Sequence, residues 1–173
     1  MLKPKVMHSI NIFIFLFYKK SLNLKVLKPY VMGCVKHILQ FKGNAVHAVS
    51  PNSSVYEALE ELEDNNLGSL VVVENGKLIG IFTERDYARK VILKGRSSKE
   101  TLVRDIMSER PVFVTPDTGI DVCMQLMSSK TIRHLPVLDN DQLVGVISIS
   151  DLVRYIINEK DFIIENLEHY IAS

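Results

Sequence analysis

One stretch of nine residues occurs twice in this chain and constrains the fold more than any other feature. Leu78–Asp86 and Leu143–Asp151 both read apolar-apolar-Gly-apolar-apolar-hydroxyl-x-x-Asp, and they lie 65 positions apart. The same offset aligns Val49–Arg89 with Val114–Arg154 without a gap. Self-similarity of this length is typical of a whole supersecondary unit. The chain is therefore predicted to contain two related units.

Hydrophobic periodicity predicts the order strand-helix-strand-strand-helix in each unit. Asn75-Gly76 predicts a tight hairpin, and Ser53 or Ser54 is a candidate helix cap together with Glu57. In unit one the predicted elements are strands over 45–49, 69–73 and 78–82 and helices over 55–64 and 83–93; in unit two they are strands over 112–114, 135–138 and 142–147 and helices over 120–128 and 150–157.

Three flanking segments complete the predicted α+β architecture. Residues 35–39 and 103–107 resemble each other and are expected to be short lead-in helices, and 159–173 is expected to be a separate C-terminal helix. The predicted divisions are an extension over 1–31, unit one over 32–98 and unit two over 99–158. The two units are expected to pack through their sheets as a pseudo-symmetric pair.

The first 31 residues differ from the rest of the chain. They consist of a basic start, an apolar run over 10–18 and Lys19-Lys20. The apolar run is too short to span a bilayer as a helix, which needs about 20 apolar residues. We expect a poorly ordered extension or an over-long start, with Met32 as the true start; a membrane-surface or partner-binding segment and a cleaved signal are the alternatives. Two cysteines and no clear export signal favour a cytoplasmic location.

The repeated motif carries the groups from which a binding site can be built. Thr83 and Ser148 each stand where a strand is predicted to become a helix, so that their hydroxyls can cap the first turn. Asp86 and Asp151 follow three residues later and favour the same helix end. Helix capping alone would explain this pattern, but free N–H groups can also bind an anion, and a carboxylate can accept both hydroxyls of a ribose.

The doubled motif, the Asn-Gly turn, the run Arg133–Val137 and the element order together resemble a tandem pair of cystathionine-β-synthase (CBS) domains, or Bateman module, over 35–157. The resemblance implies a small stand-alone regulatory protein that binds AMP, ADP, ATP or NAD(H) between its units, commonly as a homodimer. It implies that Asp86 and Asp151 bind ribose and that Thr83 and Ser148 bind phosphate or ribose.

Further ligand contacts are implied by the same resemblance. Arg133 and His134 would contact phosphate, with Pro136 in the same run, and Arg85 places a cation inside the first motif only. Ser50 and Thr115 are hydroxyls at strand ends that would touch adenine or ribose. The candidates for the apolar walls around adenine are Ile81, Val146, Val112 and Leu135, for all of which core packing is the alternative.

A local basic run follows the first motif and includes Lys94; its members are Arg85, Arg89, Lys90, Lys94, Arg96 and Lys99. A solvated helix face, a phosphate clamp and a nucleic-acid patch are the three interpretations. Nucleic acid is the least expected partner, because no aromatic residues are interleaved and the net charge is only +1.

No catalytic motif or metal-ligand spacing is found, so we expect neither enzymatic activity nor a catalytic cofactor. The first hypothesis is a nucleotide sensor that acts on an unknown regulated protein. A scaffold without a ligand, in which the motif only caps helices, and nucleic-acid binding through residues 85–99 are the alternatives.

Overall fold

The computed structural model describes residues 33–172, apart from the side chains at 163, 165–167 and 170–172. The expectations for residues 1–31 lie outside this range. The helices are α1 Val35–Lys42, α2 Val55–Asp64, α3 Glu84–Lys90, α4 Ile120–Lys130 and α5 Ile149–Ala172, and the strands are β1 Ala48–Val49, β2 Ser69–Glu74, β3 Lys77–Thr83, β4 Ser108–Glu109, β5 His134–Asp139 and β6 Gln142–Ser148, with short 3₁₀ turns at Ile92–Lys94 and Val103–Asp105. The α+β class is confirmed, and the repeated element order is confirmed except for the first strand of unit two.

The repeat extends to the details of the two hairpins. Asn75 and Gly76 have φ of 51° and 75°, and Asn140 and Asp141 have φ of 47° and 63°, as a tight turn with two left-handed residues requires. The antiparallel pairs β2–β3 and β5–β6 each contain a register shift, after Val72 and after Val137 respectively. These two positions are again 65 residues apart, so even the irregularities of the strands are duplicated.

The sheets of the two units differ in size. Unit one has four strands in the order β1-β2-β3-β4, whereas unit two has only β5 and β6. The predicted strand at 112–114 is reduced to a parallel bridge between Val114 and Val137, the counterpart of the Val49–Val72 pair. Pro111 and Pro116 flank this segment closely, and proline supplies no N–H group to extend a ladder.

Each lead-in segment packs against the unit that it does not precede. Val35, Ile38 and Leu39 of α1 lie in the core of unit two. Val103 and Ile106, which precede unit two, lie in the core of unit one. The two exchanges use matching backbone hydrogen bonds: Val35 N donates to Thr118 O at 3.0 Å, and Val103 N donates to Ser53 O at 2.9 Å.

The flanks differ from the expectations in detail. The lead-in helix expected at 103–107 is a 3₁₀ turn over Val103–Asp105. The divisions 32–98 and 99–158 stay a prediction, and the lead-in segment of each packs in the core of the other. The helices predicted at 150–157 and 159–173 are one helix, α5. Asn158, between them, is neither proline nor glycine, so nothing in the sequence ends the first helix there.

Ser54 is the N-cap of α2, and Glu57 completes a capping box. Glu57 N donates to Ser54 Oγ at 3.2 Å, and Ser54 N donates to Glu57 Oε2 at 2.8 Å. We expect Ser54→Ala to lower the free energy of unfolding by about 1 kcal/mol. Urea unfolding followed by circular dichroism measures this loss. Ser53→Ala is the control, and an equal loss in that variant would remove the special role of Ser54.

Within the described range, no helix combines the length and the hydropathy needed to cross a bilayer.

Candidate functional site

A cleft of about 590 Å³ lies between the two units, a size typical of small-molecule sites. Unit one contributes the end of β3 and the start of α3, and unit two contributes the segment between α4 and β5. The connection that follows β4 lines the cleft as well. The predicted site residues that it brings together are Ile81, Thr83, Arg85, Asp86, Val112, Arg133 and His134.

Thr83 and Asp86 form a closed local arrangement at the start of α3. Asp86 N donates to Thr83 Oγ1 at 3.1 Å, and Thr83 Oγ1 donates to Asp86 Oδ2 at 2.7 Å. Thr83 is therefore the predicted N-cap. The helix itself is shorter than the predicted 83–93, because it ends at Lys90 and continues only as a 3₁₀ turn at Ile92–Lys94.

Lys90 holds the second oxygen of the Asp86 carboxylate. Its Nζ lies 2.8 Å from Asp86 Oδ1 and donates to Ile106 O at 2.6 Å. Ser108 Oγ donates to the same Oδ1 at 3.4 Å. The Asp86 side chain is 13% exposed. A ribose at this carboxylate would therefore exchange hydrogen bonds with Lys90 and Ser108 rather than fill an empty position.

Arg85 joins the two units. Its guanidinium donates to the carbonyl of Thr131 at 3.0 Å. Thr131 has a φ of 55°, and the hydrogen bonds that close α4 end at this residue. Arg85 therefore helps to fix the width of the cleft in addition to supplying charge.

His134 begins β5 and lies at the boundary between the units. A Cβ placed on Gly68 of unit one would be 3.4 Å from the imidazole ring. Burial, together with the neighbouring charges of Arg133 and Lys42, lowers the pKa of His134 to about 4, and Asp151 opposes this shift. The imidazole is therefore neutral at pH 7 and can donate or accept a hydrogen bond but carries no charge.

This lowered pKa predicts a pH dependence of stability. The unfolded chain takes up a proton at His134 as the pH falls through about 6.5, whereas the folded chain does so only near pH 4. Stability is therefore full above about pH 6.5 and is lost between there and pH 4. We expect about 1–2 kcal/mol of loss from pH 7 to pH 5, measured by urea unfolding. His134→Gln should flatten this dependence; an unchanged slope in that variant would assign the effect elsewhere.

In the second copy of the motif, the Asp151 carboxylate accepts hydrogen bonds from Ser148 and Lys42 of the same chain. Asp151 Oδ2 accepts hydrogen bonds from Ser148 N and Ser148 Oγ, both at 2.8 Å, and from Lys42 Nζ at 2.7 Å. Lys42 also donates to Val146 O at 3.0 Å. Burial opposes ionisation, but Lys42 and Ser148 together hold the pKa of Asp151 below its ordinary value. Asp151 therefore joins α5 to the exchanged helix α1.

Ser148 and Asp151 lie outside the walls of this cleft, and so do six other predicted contacts: Ser50, Lys94, Thr115, Pro136, Leu135 and Val146. Leu135 is fully buried in the core of unit two, as its alternative interpretation predicted. Ser50 Oγ accepts from Asn52 N at 3.2 Å, and Thr115 Oγ1 lies 3.1 Å from Thr118 Oγ1, so that both hydroxyls serve local turns. The carbonyl of Pro136 accepts from Val114 N.

The cleft also contains cations that the sequence did not single out. Arg110 has a φ of 47° and follows β4, and Lys130 ends α4. Neither belongs to the repeated motif or to the basic run, so only the folded arrangement identifies them. Lys42 was missed for the same reason, since its partner Asp151 is 109 residues away.

Residues 33–172 contain no cluster of three histidine, cysteine or acidic side chains that could hold a metal ion. Cys123 is buried in the core, as predicted, and burial raises the pKa of its thiol to about 11.

Comparison with known proteins gives a consistent result. The family model described as the CBS domain matches residues 43–92 and 103–158. A mitochondrial CBS domain-containing protein of Arabidopsis thaliana, CBSX3, is 39% identical over 80% of this chain and 72% of its own length. The CBS-domain protein ATU1752 of Agrobacterium tumefaciens has a solved structure that is 36% identical, with a TM-score of 0.67 over 70% of this chain and 97% of its own.

A third relative was solved with ligands. The CBS domain pair of protein MJ0100, in complex with 5′-methylthioadenosine and S-adenosylmethionine, is 27% identical to this chain. Its TM-score is 0.66 over 74% of this chain and 98% of its own.

Proposed function

We propose that this chain, which belongs to the CBS domain family, is a non-catalytic regulatory module that binds an adenine nucleotide in the cleft between its two CBS units. One observation carries the proposal: Thr83 and Asp86 of unit one line the same cleft as Arg133 and His134 of unit two. The adenosine ligands of the MJ0100 pair support the same class of ligand.

Each lining group has a role that its chemistry suits. Asp86 accepts the ribose hydroxyls, and Thr83 contacts ribose or phosphate. Arg133 binds phosphate, since a guanidinium forms charge-assisted hydrogen bonds with an oxyanion. His134, neutral at pH 7, adds a hydrogen bond. Ile81 is 8% exposed and Val112 half-buried, and these two supply apolar surface for the base.

Each chain holds one nucleotide in this proposal. The second carboxylate, Asp151, accepts three hydrogen bonds at one oxygen, and one of the donors is the Lys42 ammonium. Its side chain is 10% exposed. A ribose at Asp86 displaces Lys90, which lies on the same helix, whereas a ribose at Asp151 would displace Lys42 and release α1 from α5, so Ser148 and Asp151 act as a helix cap and an anchor.

Regulation requires two arrangements of the module that bind the nucleotide with different affinity. The surface that transmits the change is the outer face of α5, where Ile149, Val153 and Ile157 are 36%, 49% and 52% exposed at a spacing of four residues. Such an apolar stripe suits a second copy of the chain or the regulated protein. We propose that a second copy of the chain binds this stripe to form a homodimer. We also propose that the protein is located in the cytoplasm.

Nucleic-acid binding has less support. The basic run is divided by the fold, because Arg85, Arg89 and Lys90 line the cleft, whereas Lys94 and Arg96 do not. Lys99 lies 5.1 Å from the ring centroid of Tyr56. The run therefore forms no single continuous surface for a phosphate backbone.

Calorimetry with AMP, ADP, ATP and NADH tests the proposal. We expect binding with one site per chain and a matching rise in melting temperature. Heat or stabilisation from none of the four would leave the scaffold hypothesis in its place. Two equivalent sites per chain would instead disprove the role given to Lys42.

A further inference from the structure

We infer that the cleft selects a nucleoside di- or triphosphate and rejects adenosine derivatives without phosphate. This inference rests on the proposed function and concerns which adenine compound the same site takes. Six cationic side chains line the cleft, against two carboxylates, Asp86 and Glu109; the cations are Arg85, Arg89, Lys90, Arg110, Lys130 and Arg133. The whole chain has a net charge of only +1, so positive charge is concentrated here.

Two of the six cations have partners within the protein. Lys90 pairs with Asp86 at 2.8 Å, and Arg85 donates to Thr131 O at 3.0 Å. For the side chains of the other four, the described part of the chain offers no ion pair or hydrogen bond; they are Arg89, Arg110, Lys130 and Arg133. Four like charges that line one cleft disfavour one another, and an anion bound among them would lower this repulsion.

These four cations come from different segments of the chain. Arg89 is on α3 of unit one, Arg110 follows β4, and Lys130 and Arg133 flank the turn between α4 and β5 of unit two. A ligand that satisfies them must offer anionic oxygens to both units. A chain of two or three phosphates does so, and its charge of about −3 to −4 matches four cations better than a single phosphate of about −2.

The same charge opposes the ligands of the MJ0100 pair. S-adenosylmethionine carries a sulfonium cation, an ammonium group and one carboxylate, so its net charge is positive, and a cleft lined by six cations and two carboxylates disfavours it. 5′-Methylthioadenosine is neutral at the position where a nucleotide carries phosphate, so it leaves the four cations without a counter-charge. A dinucleotide such as NADH brings only two negative charges in its bridging pyrophosphate.

The test is a calorimetric series on the full chain with adenosine, 5′-methylthioadenosine, AMP, ADP, ATP, NADH and S-adenosylmethionine. We expect affinity to rise at least tenfold from AMP to ATP, with S-adenosylmethionine and 5′-methylthioadenosine the weakest. Raising the KCl concentration should weaken ATP binding more than AMP binding, because screening acts on each charge pair.

Arg89→Gln and Arg133→Gln locate the effect. Arg89→Gln should weaken ATP binding five- to tenfold and AMP binding less than twofold, whereas Arg133→Gln should weaken the binding of both, that of ATP more, with unchanged circular dichroism in each variant. Lys94→Gln, on the exposed 3₁₀ turn outside the cleft, is the matched control and should change neither affinity.

The failures can be told apart. Equal affinities for AMP and ATP, or ATP binding that neither arginine variant weakens, would overturn this inference and leave the proposed function intact. Stronger binding of 5′-methylthioadenosine or S-adenosylmethionine than of ATP would overturn it as well. Absence of binding by every compound would overturn the proposed function itself.

Discussion

Asp86→Asn should weaken nucleotide binding by tenfold or more, and Asp151→Asn should not. At residue 86 the carboxylate lines the cleft, and losing its charge would remove the charge-assisted hydrogen bonds that we propose to the ribose hydroxyls, each worth about 1.5–3 kcal/mol. At residue 151 the carboxylate instead binds Lys42 and Ser148. Isothermal calorimetry with ATP measures both variants against the parent chain.

Stability should show the reverse order. Asp151→Asn replaces a charged acceptor of three hydrogen bonds, so we expect it to lower the free energy of unfolding by about 1–3 kcal/mol. Asp86→Asn breaks an ion pair within one helix, with Lys90 four residues away, whereas Asp151→Asn breaks one that joins two helices, so the loss at residue 86 should be smaller. If both variants lost binding equally, the two copies of the motif would be functionally equivalent and the single site would be disproved.

Ile38→Ala should destabilise unit two, although residue 38 precedes unit one. Ile38 is 3% exposed in the core that contains Ile120, Leu135 and Leu152. Removing a buried isoleucine side chain costs about 2–5 kcal/mol, a large share of the roughly 5–15 kcal/mol that stabilises most domains. Urea unfolding measures the total, and hydrogen exchange should show lost protection in α4 more than in α2.

Two further variants serve as the control and as the reciprocal test. Phe41→Ala lies on the same helix at an 85% exposed position and should change stability by less than about 0.5 kcal/mol. Ile106→Ala, in the other exchanged segment, should reduce protection in α2 more than in α4. Loss of protection in α2 after Ile38→Ala would contradict the exchange of the lead-in segments.

Much of the fold could be predicted because it depends on local sequence. Asn75-Gly76 fixes its hairpin through residues that accept positive φ, and the register of β2–β3 follows from that turn. Ser54 and Thr83 cap their helices by bonds to residues three positions away. The hairpin and the cap at Ser148 repeat these features in unit two, whereas Gly119 stands at the position equivalent to Ser54 and provides no side-chain cap.

The exchanged lead-ins could not be predicted, since Val35 and Val103 have similar apolar neighbours and would suit either core. The choice depends on contacts between residues that are far apart, such as Val35 N with Thr118 O. The site was predicted where it coincides with the motif, at Thr83 and Asp86, and in the run with Arg133 and His134. Arg110, Lys130 and Lys42 were not predicted, because they reach the cleft or Asp151 only when distant segments of the chain come together on folding.

The crossed lead-ins also set the order in which a nascent chain can become stable. Val103 and Ile106 complete the core around Val55 and Leu70, so the first half has an unfinished interior while the ribosome is still making the second lead-in. The second half, in turn, must recover a helix that left the ribosome about 80 residues earlier. Each half therefore has an incomplete core until a segment from the other half joins it.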